Sequence, residues 1–146
     1  MDKMVNNITT RELIIDRAVI NLLSDARNEL MDSVGPKSIL DEYENPIDDS
    51  ISWLNTSRKK LVLSRKLEDY ELKSKQAKKL EDKVAIKAVA DIKKAVEDLQ
   101  ICKQLSASVK SGDQKEFLKL KGEAIKKINE AIQRMNDLAK LEIRAG

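Results

Sequence analysis

The chain of 146 residues contains no histidine, one cysteine, two prolines, four glycines and only four aromatic side chains. Without histidine, the commonest general base and the commonest metal ligand are both missing. One cysteine cannot form an intramolecular disulfide, and a Cys/His zinc site is out of reach. The glycines, at positions 35, 112, 122 and 146, are too scattered to cradle a phosphate, and neither G-x-G-x-x-G nor a Walker motif occurs. No apolar run approaches the length of about 18 residues that a membrane span requires, and no secretory apolar region stands near the start. These gaps argue against an enzyme, a cofactor, a bound metal and a small-molecule substrate. They predict a cytoplasmic protein without disulfides, its lone Cys102 a buried helix residue.

Helix formers and charge fill the space. Charged residues make up 36% of the chain, enough to predict long solvated helical faces. From Ile47 to Lys110 there are 64 residues without glycine or proline. As one helix that stretch would be about 96 Å long. A single domain over residues 1–146 must either let it protrude or fold it back.

Taken in order, residues 1–8 show no period and are expected to be a flexible N-terminus. Thr9 and Glu12 have capping-box spacing, predicting a helix over 10–34 that Gly35-Pro36 ends. Its apolar face combines Leu13, Ile20, Leu23, Leu30 and Val34 with Ile14, Ala18, Leu22 and Ala26. Residues 36–49 form an acidic connector with five acids between Asp41 and Asp49. It reads either as a solvated linker, with Asn45 capping, Pro46 opening and Asp48 favouring the next helix start, or as a recognition segment anchored by Tyr43.

Ile47, Ile51, Leu54 and Leu61 begin a seam that continues through Leu63, Leu67, Tyr70, Ala77, Val84, Ala88, Ala95, Leu99 and Cys102. Between 71 and 83 its only apolar member is Ala77, which predicts a bend, a break or an exposed section near Lys73–Asp82. Ser111-Gly112-Asp113 reads as a turn, followed by a last helix over 114–143. That helix should bury Phe117, Ala124, Ile128, Ala131, Met135 and Leu138, with Ile125, Ile132 and Ala139 beside them. It is expected to pair with Val84–Val109 as an antiparallel αα-hairpin, and Gly122 to mark a close helix crossing. The fold expected is therefore all-α: an elongated helical bundle or coiled coil.

Charge is unevenly placed. Residues 1–50 carry five basic and eleven acidic side chains, whereas 51–146 carry 23 basic and 14 acidic. The densest basic section runs from Arg58 to Lys79: Arg58, Lys59, Lys60, Arg65, Lys66, Lys73, Lys75, Lys78 and Lys79 stand against Glu68, Asp69 and Glu71. It reads as a solvated salt-bridging face or as a working surface for an acidic partner or for phosphates. Trp53, just before it, is either a core residue or an interface anchor. With so few aromatics, a stacking platform for bases is poorly supported.

Three runs carry a resemblance: Ser50-Ile51-Ser52-Trp53-Leu54-Asn55 followed by lysines, Lys83–Ala88 (KVAIKA) and Lys121–Ile128 (KGEAIKKI). They resemble stretches of the recombination mediator proteins of large tailed phages, small helical oligomers that load a recombinase on single-stranded DNA. Val89 departs from that family, which has a basic residue there. The residues themselves favour a non-catalytic helical binding or assembly protein, acting through a charged helical surface on a protein partner or on itself. The alternative, which the resemblance strengthens, is a nucleic-acid accessory protein contacting phosphates through Arg58–Lys79.

Overall fold

The computed structural model describes residues 2–32, 46–74, 79–106 and 111–145. All of its regular structure is helical: α1 (Asp2–Asp32), α2 (Pro46–Arg65), α3 (Asp69–Ser74), α4 (Leu80–Leu105) and α5 (Ser111–Ala145). The four long helices close a ring in which α1 packs on α2, α2 on α4, α4 on α5, and α5 back on α1. Cross-links fix the directions. Arg65 on α2 reaches Asp16 on α1, whereas Ser50, a helix length away, donates to the Ala26 carbonyl at 3.2 Å. Lys103 near the end of α4 lies 2.8 Å from Asp48 at the start of α2. Arg134 of α5 meets Asp91 of α4 at 2.7 Å, and Cys102 Sγ meets the Phe117 carbonyl at 3.5 Å. Neighbours are antiparallel throughout. The fold is an up-down-up-down four-helix bundle with α3 as an extra turn on its flank.

The core explains the helix faces. On α5, Phe117, Ala124, Ile128, Ala131, Met135 and Leu138 are all fully buried, as their spacing predicts. The α4–α5 hairpin is the most extensive pairing in the molecule. On α1 the buried stripe is Asp16, Val19, Leu23, Ala26 and Leu30, a clean 3–4 spacing rotated from the expected one. Ile14, assigned to that face from the sequence, is exposed instead. The pattern hid itself because an acid occupies a core position. On α2 the matching stripe is Ile47, Ser50, Leu54, Ser57 and Leu61. Ser50 is small enough for α1 and α2 to approach, and its hydroxyl finds a carbonyl on the facing helix.

Several boundaries differ from those expected. Residues 2–8 belong to α1 rather than to a flexible N-terminus. Ser111-Gly112-Asp113 are not a turn; they open α5, with Asp113 in its first turn. Residues 33–45, including Gly35-Pro36, Tyr43 and Asn45, lie outside the described residues, as do 75–78 and 107–110. The described residues of the 47–110 stretch form three helices. One interruption, at Lys79, whose backbone is extended just before α4, falls inside the predicted 73–82 interval. The other, at Lys66, carries no conventional breaker.

Lys66 has φ 51°, in the left-handed region. Its N–H donates to the Leu63 carbonyl at 3.3 Å, and the Leu67 N–H donates to the Val62 carbonyl at 3.1 Å. That pair of bonds is a Schellman C-cap, with Leu67 folding back into the core beneath it. A lysine in this conformation costs about 1–2 kcal/mol that glycine avoids. Gly122 is the converse case. It is exposed mid-helix on α5, and a Cβ there would meet nothing within 4 Å, so no close crossing requires it. We expect Lys66→Gly and Gly122→Ala each to stabilise the protein by about 1 kcal/mol. Thermal melts check this: an unchanged or lower midpoint in either variant contradicts the corresponding backbone account.

Candidate functional site: a basic-rimmed apolar groove

α2 stops at Arg65 and α3 turns aside, and the other described residues leave the second half of α2 and the first half of α4 partly uncovered. Between them, closed on one side by α3, lies a groove of about 890 Å³. Val62, Leu63, Leu72, Ile86, Val89 and Ala90 provide its apolar surface. Arg58 and Lys59 stand on the α2 wall, Lys73 on α3, and Lys93 and Lys94 on the α4 wall; among the described lining residues, Asp69 and Glu97 are the acids. Leu63 is 76% exposed, an unusual state for a leucine beside other apolar residues. The 3–4 seam extrapolated through Leu63 does not hold, because Leu63 lies two residues past the buried Leu61 and so about 200° round the helix from the core face.

The electrostatics are graded along the rim. Lys94 Nζ is 3.2 Å from Asp98 Oδ1, and this hydrogen bond, with the carboxylate's charge, raises the Lys94 pKa. Asp98 is almost fully buried, and its second oxygen has no hydrogen-bond partner among the described residues. Lys94 is therefore held by the fold. Lys59, Lys73 and Lys93 make no ion pair among the described residues. One turn past Asp98, burial pushes the Cys102 thiol up to about 12, and the charge of Asp98 adds to the effect. At neutral pH that sulfur is a protonated core atom and a poor nucleophile. Lys121 beyond it is half-buried, and desolvation lowers its pKa.

Of the basic residues singled out from the sequence, the groove gathers Arg58, Lys59 and Lys73. Lys60, Lys66 and Lys79 are exposed but do not line it. Arg65 is not a surface charge at all. Its η2 nitrogen sits 3.1 Å from both oxygens of Asp16, and the two side chains are 5% and 1% exposed. Lys75, Lys78 and Tyr43 lie outside the described residues. Trp53 is half-buried against the core, on the structural side of its two readings. The sequence reading missed Lys93 and Lys94. Their signal was the 3–4 series Ile86, Val89, Ala90, Lys93, Lys94 and Glu97, a second stripe beside the hairpin seam on the same helix.

Among the described residues, no helix is long and apolar enough to cross a membrane. No group of three or more Cys, Asp or Glu side chains there could hold a metal ion. Fold and groove together define an all-α helical bundle carrying a basic-rimmed apolar cleft. Comparison with known proteins returns no match: no family model, curated protein or solved structure is significantly similar to the chain.

Proposed function

We propose that this is a non-catalytic helical binding or assembly protein whose working surface is the basic rim of the α2–α4 groove. One observation carries the reading: three lysines without ion pairs among the described residues surround a concave apolar surface. Unpaired charge beside uncovered apolar area suits a partner that is itself acidic and apolar, either another protein or a second copy of this chain. The cytoplasm fits a chain of this composition.

The test is reversal of Lys59, Lys73 and Lys93 to glutamate. Partner capture from extracts of the native host, quantified by mass spectrometry, should fall at least about tenfold. The melting temperature should barely move, since exposed charges are worth well under about 1 kcal/mol each. Arg65 has no place in such a variant, because it is buried in an ion pair. Capture at wild-type level would refute the proposal.

A second reading rests on a different observation. Lys60, Lys66 and Lys79 are further exposed basic side chains outside the groove lining, also without ion pairs among the described residues. Phosphates of a nucleic acid would be drawn to such a surface, and the resemblance to phage recombination mediators points the same way. Salt distinguishes the two readings. Phosphate binding weakens log-linearly with salt, in proportion to the phosphates contacted, whereas a protein interface that pairs the rim charges and also buries the apolar floor keeps the apolar part of its affinity at high salt.

A further inference from the structure

We infer that the groove receives a single acidic amphipathic α-helix from a partner protein, laid along α4. The inference rests on the groove being the working surface and adds what its occupant is. Dimensions come first. The α4 wall from Ile86 to Glu97 rises about 16 Å, the length of about three helical turns. Its lining positions recur at 3–4 spacing, so they form a straight ridge with a complementary channel beside it, suited to apolar side chains at i, i+3 or i+4, and i+7 of an incoming helix.

Backbone chemistry then selects a helix over an extended peptide. Both long walls are helices whose N–H and C=O groups are already bonded within their own turns. An extended segment would find no backbone partners there and would leave its own polar groups stranded on an apolar floor. A helix brings its backbone satisfied.

Charge selects the flanks. Basic groups stand on both sides of the floor, Lys59 on α2 and Lys93 on α4, with Lys73 on α3. The occupant therefore carries acids on both edges of its apolar stripe. A nucleic acid fits this cleft less well, because no aromatic residue among its described lining residues offers a face to stack a base. Leu63 is the residue that an occupant would cover.

The test uses a fluorescein-labelled peptide of about 15 residues, long enough to be helix-prone, with leucines at i, i+3, i+7 and i+10 and glutamates flanking them. Fluorescence anisotropy against the full chain reads the binding. A control of identical composition distributes the leucines around the helix. Binding should be saturable, and should weaken at least about tenfold for the scattered control and for the Leu63→Ser and Lys93→Glu proteins. Both protein substitutions are on exposed side chains, and circular dichroism melts verify the fold. Equal affinity of the two peptides, or undiminished affinity of the Leu63→Ser protein, overturns the inference. Saturable binding of oleate without binding of the peptide overturns it in favour of a lipid. Should the peptide fail while Lys59, Lys73 and Lys93 reversal still abolishes partner capture, the helix is wrong and the basic rim stands. If both fail, the groove is not the working surface.

Discussion

Arg65→Met is expected to destabilise the protein by about 3–5 kcal/mol, the usual consequence of leaving a buried charge without its partner. Asp16 is fully buried on α1, and one guanidinium nitrogen lies 3.1 Å from each of its oxygens. Removing the guanidinium leaves the Asp16 carboxylate buried without its countercharge. The double variant Asp16→Leu/Arg65→Met removes both charges and should recover most of the loss, since apolar replacements of buried pairs are often neutral or stabilising. Urea unfolding of the two single variants and the double gives the coupling directly. A loss below about 1 kcal/mol for Arg65→Met would place the pair in solvent and reinstate Arg65 as a surface charge.

Phe117→Ala should cost about 3–5 kcal/mol, the range for emptying a fully buried aromatic site. Phe117 is the only phenylalanine in the chain and is completely inaccessible near the start of α5. The closing end of the α4–α5 hairpin is built around it, with Cys102 beside its carbonyl. The change in unfolding free energy from denaturant titration checks this. A cost under about 1 kcal/mol would mean that this end of the hairpin is open to water.

The legible parts of the sequence share a physical character. On α5 the buried face is uniformly apolar, so period alone locates Phe117 through Leu138. On α1 the face is interrupted by Asp16, and apolar periodicity drifted to Leu13 and Ile14. The partner that makes Asp16 tolerable is 49 residues away in sequence, so no local window shows it. Lys66 illustrates a second limit. Glycine is the usual mark of a left-handed cap, and here tertiary structure imposes that conformation on a lysine. Ser111-Gly112-Asp113 erred in the other direction, because turn-forming residues were absorbed into the first turn of a helix. The groove was half legible: the basic section of α2 and α3 stood out by density. The lysines of α4 are unremarkable until the fold sets them across from Arg58 and Lys59.

Three sides of the helical ring join helices that are close in the chain, and only the side between α1 and α5 unites distant segments. Such a topology keeps most loop closures short, and helical proteins dominated by local contacts fold on the microsecond-to-millisecond scale. The order of assembly follows from the same layout. The α4–α5 hairpin can form with its own short connection closed, whereas α1 must search across the rest of the chain before docking on α5. A nascent chain leaving the ribosome meets this sequence in reverse: α1 and α2 emerge first, carrying Asp16 and Arg65, and their buried faces wait for the hairpin that completes the ring.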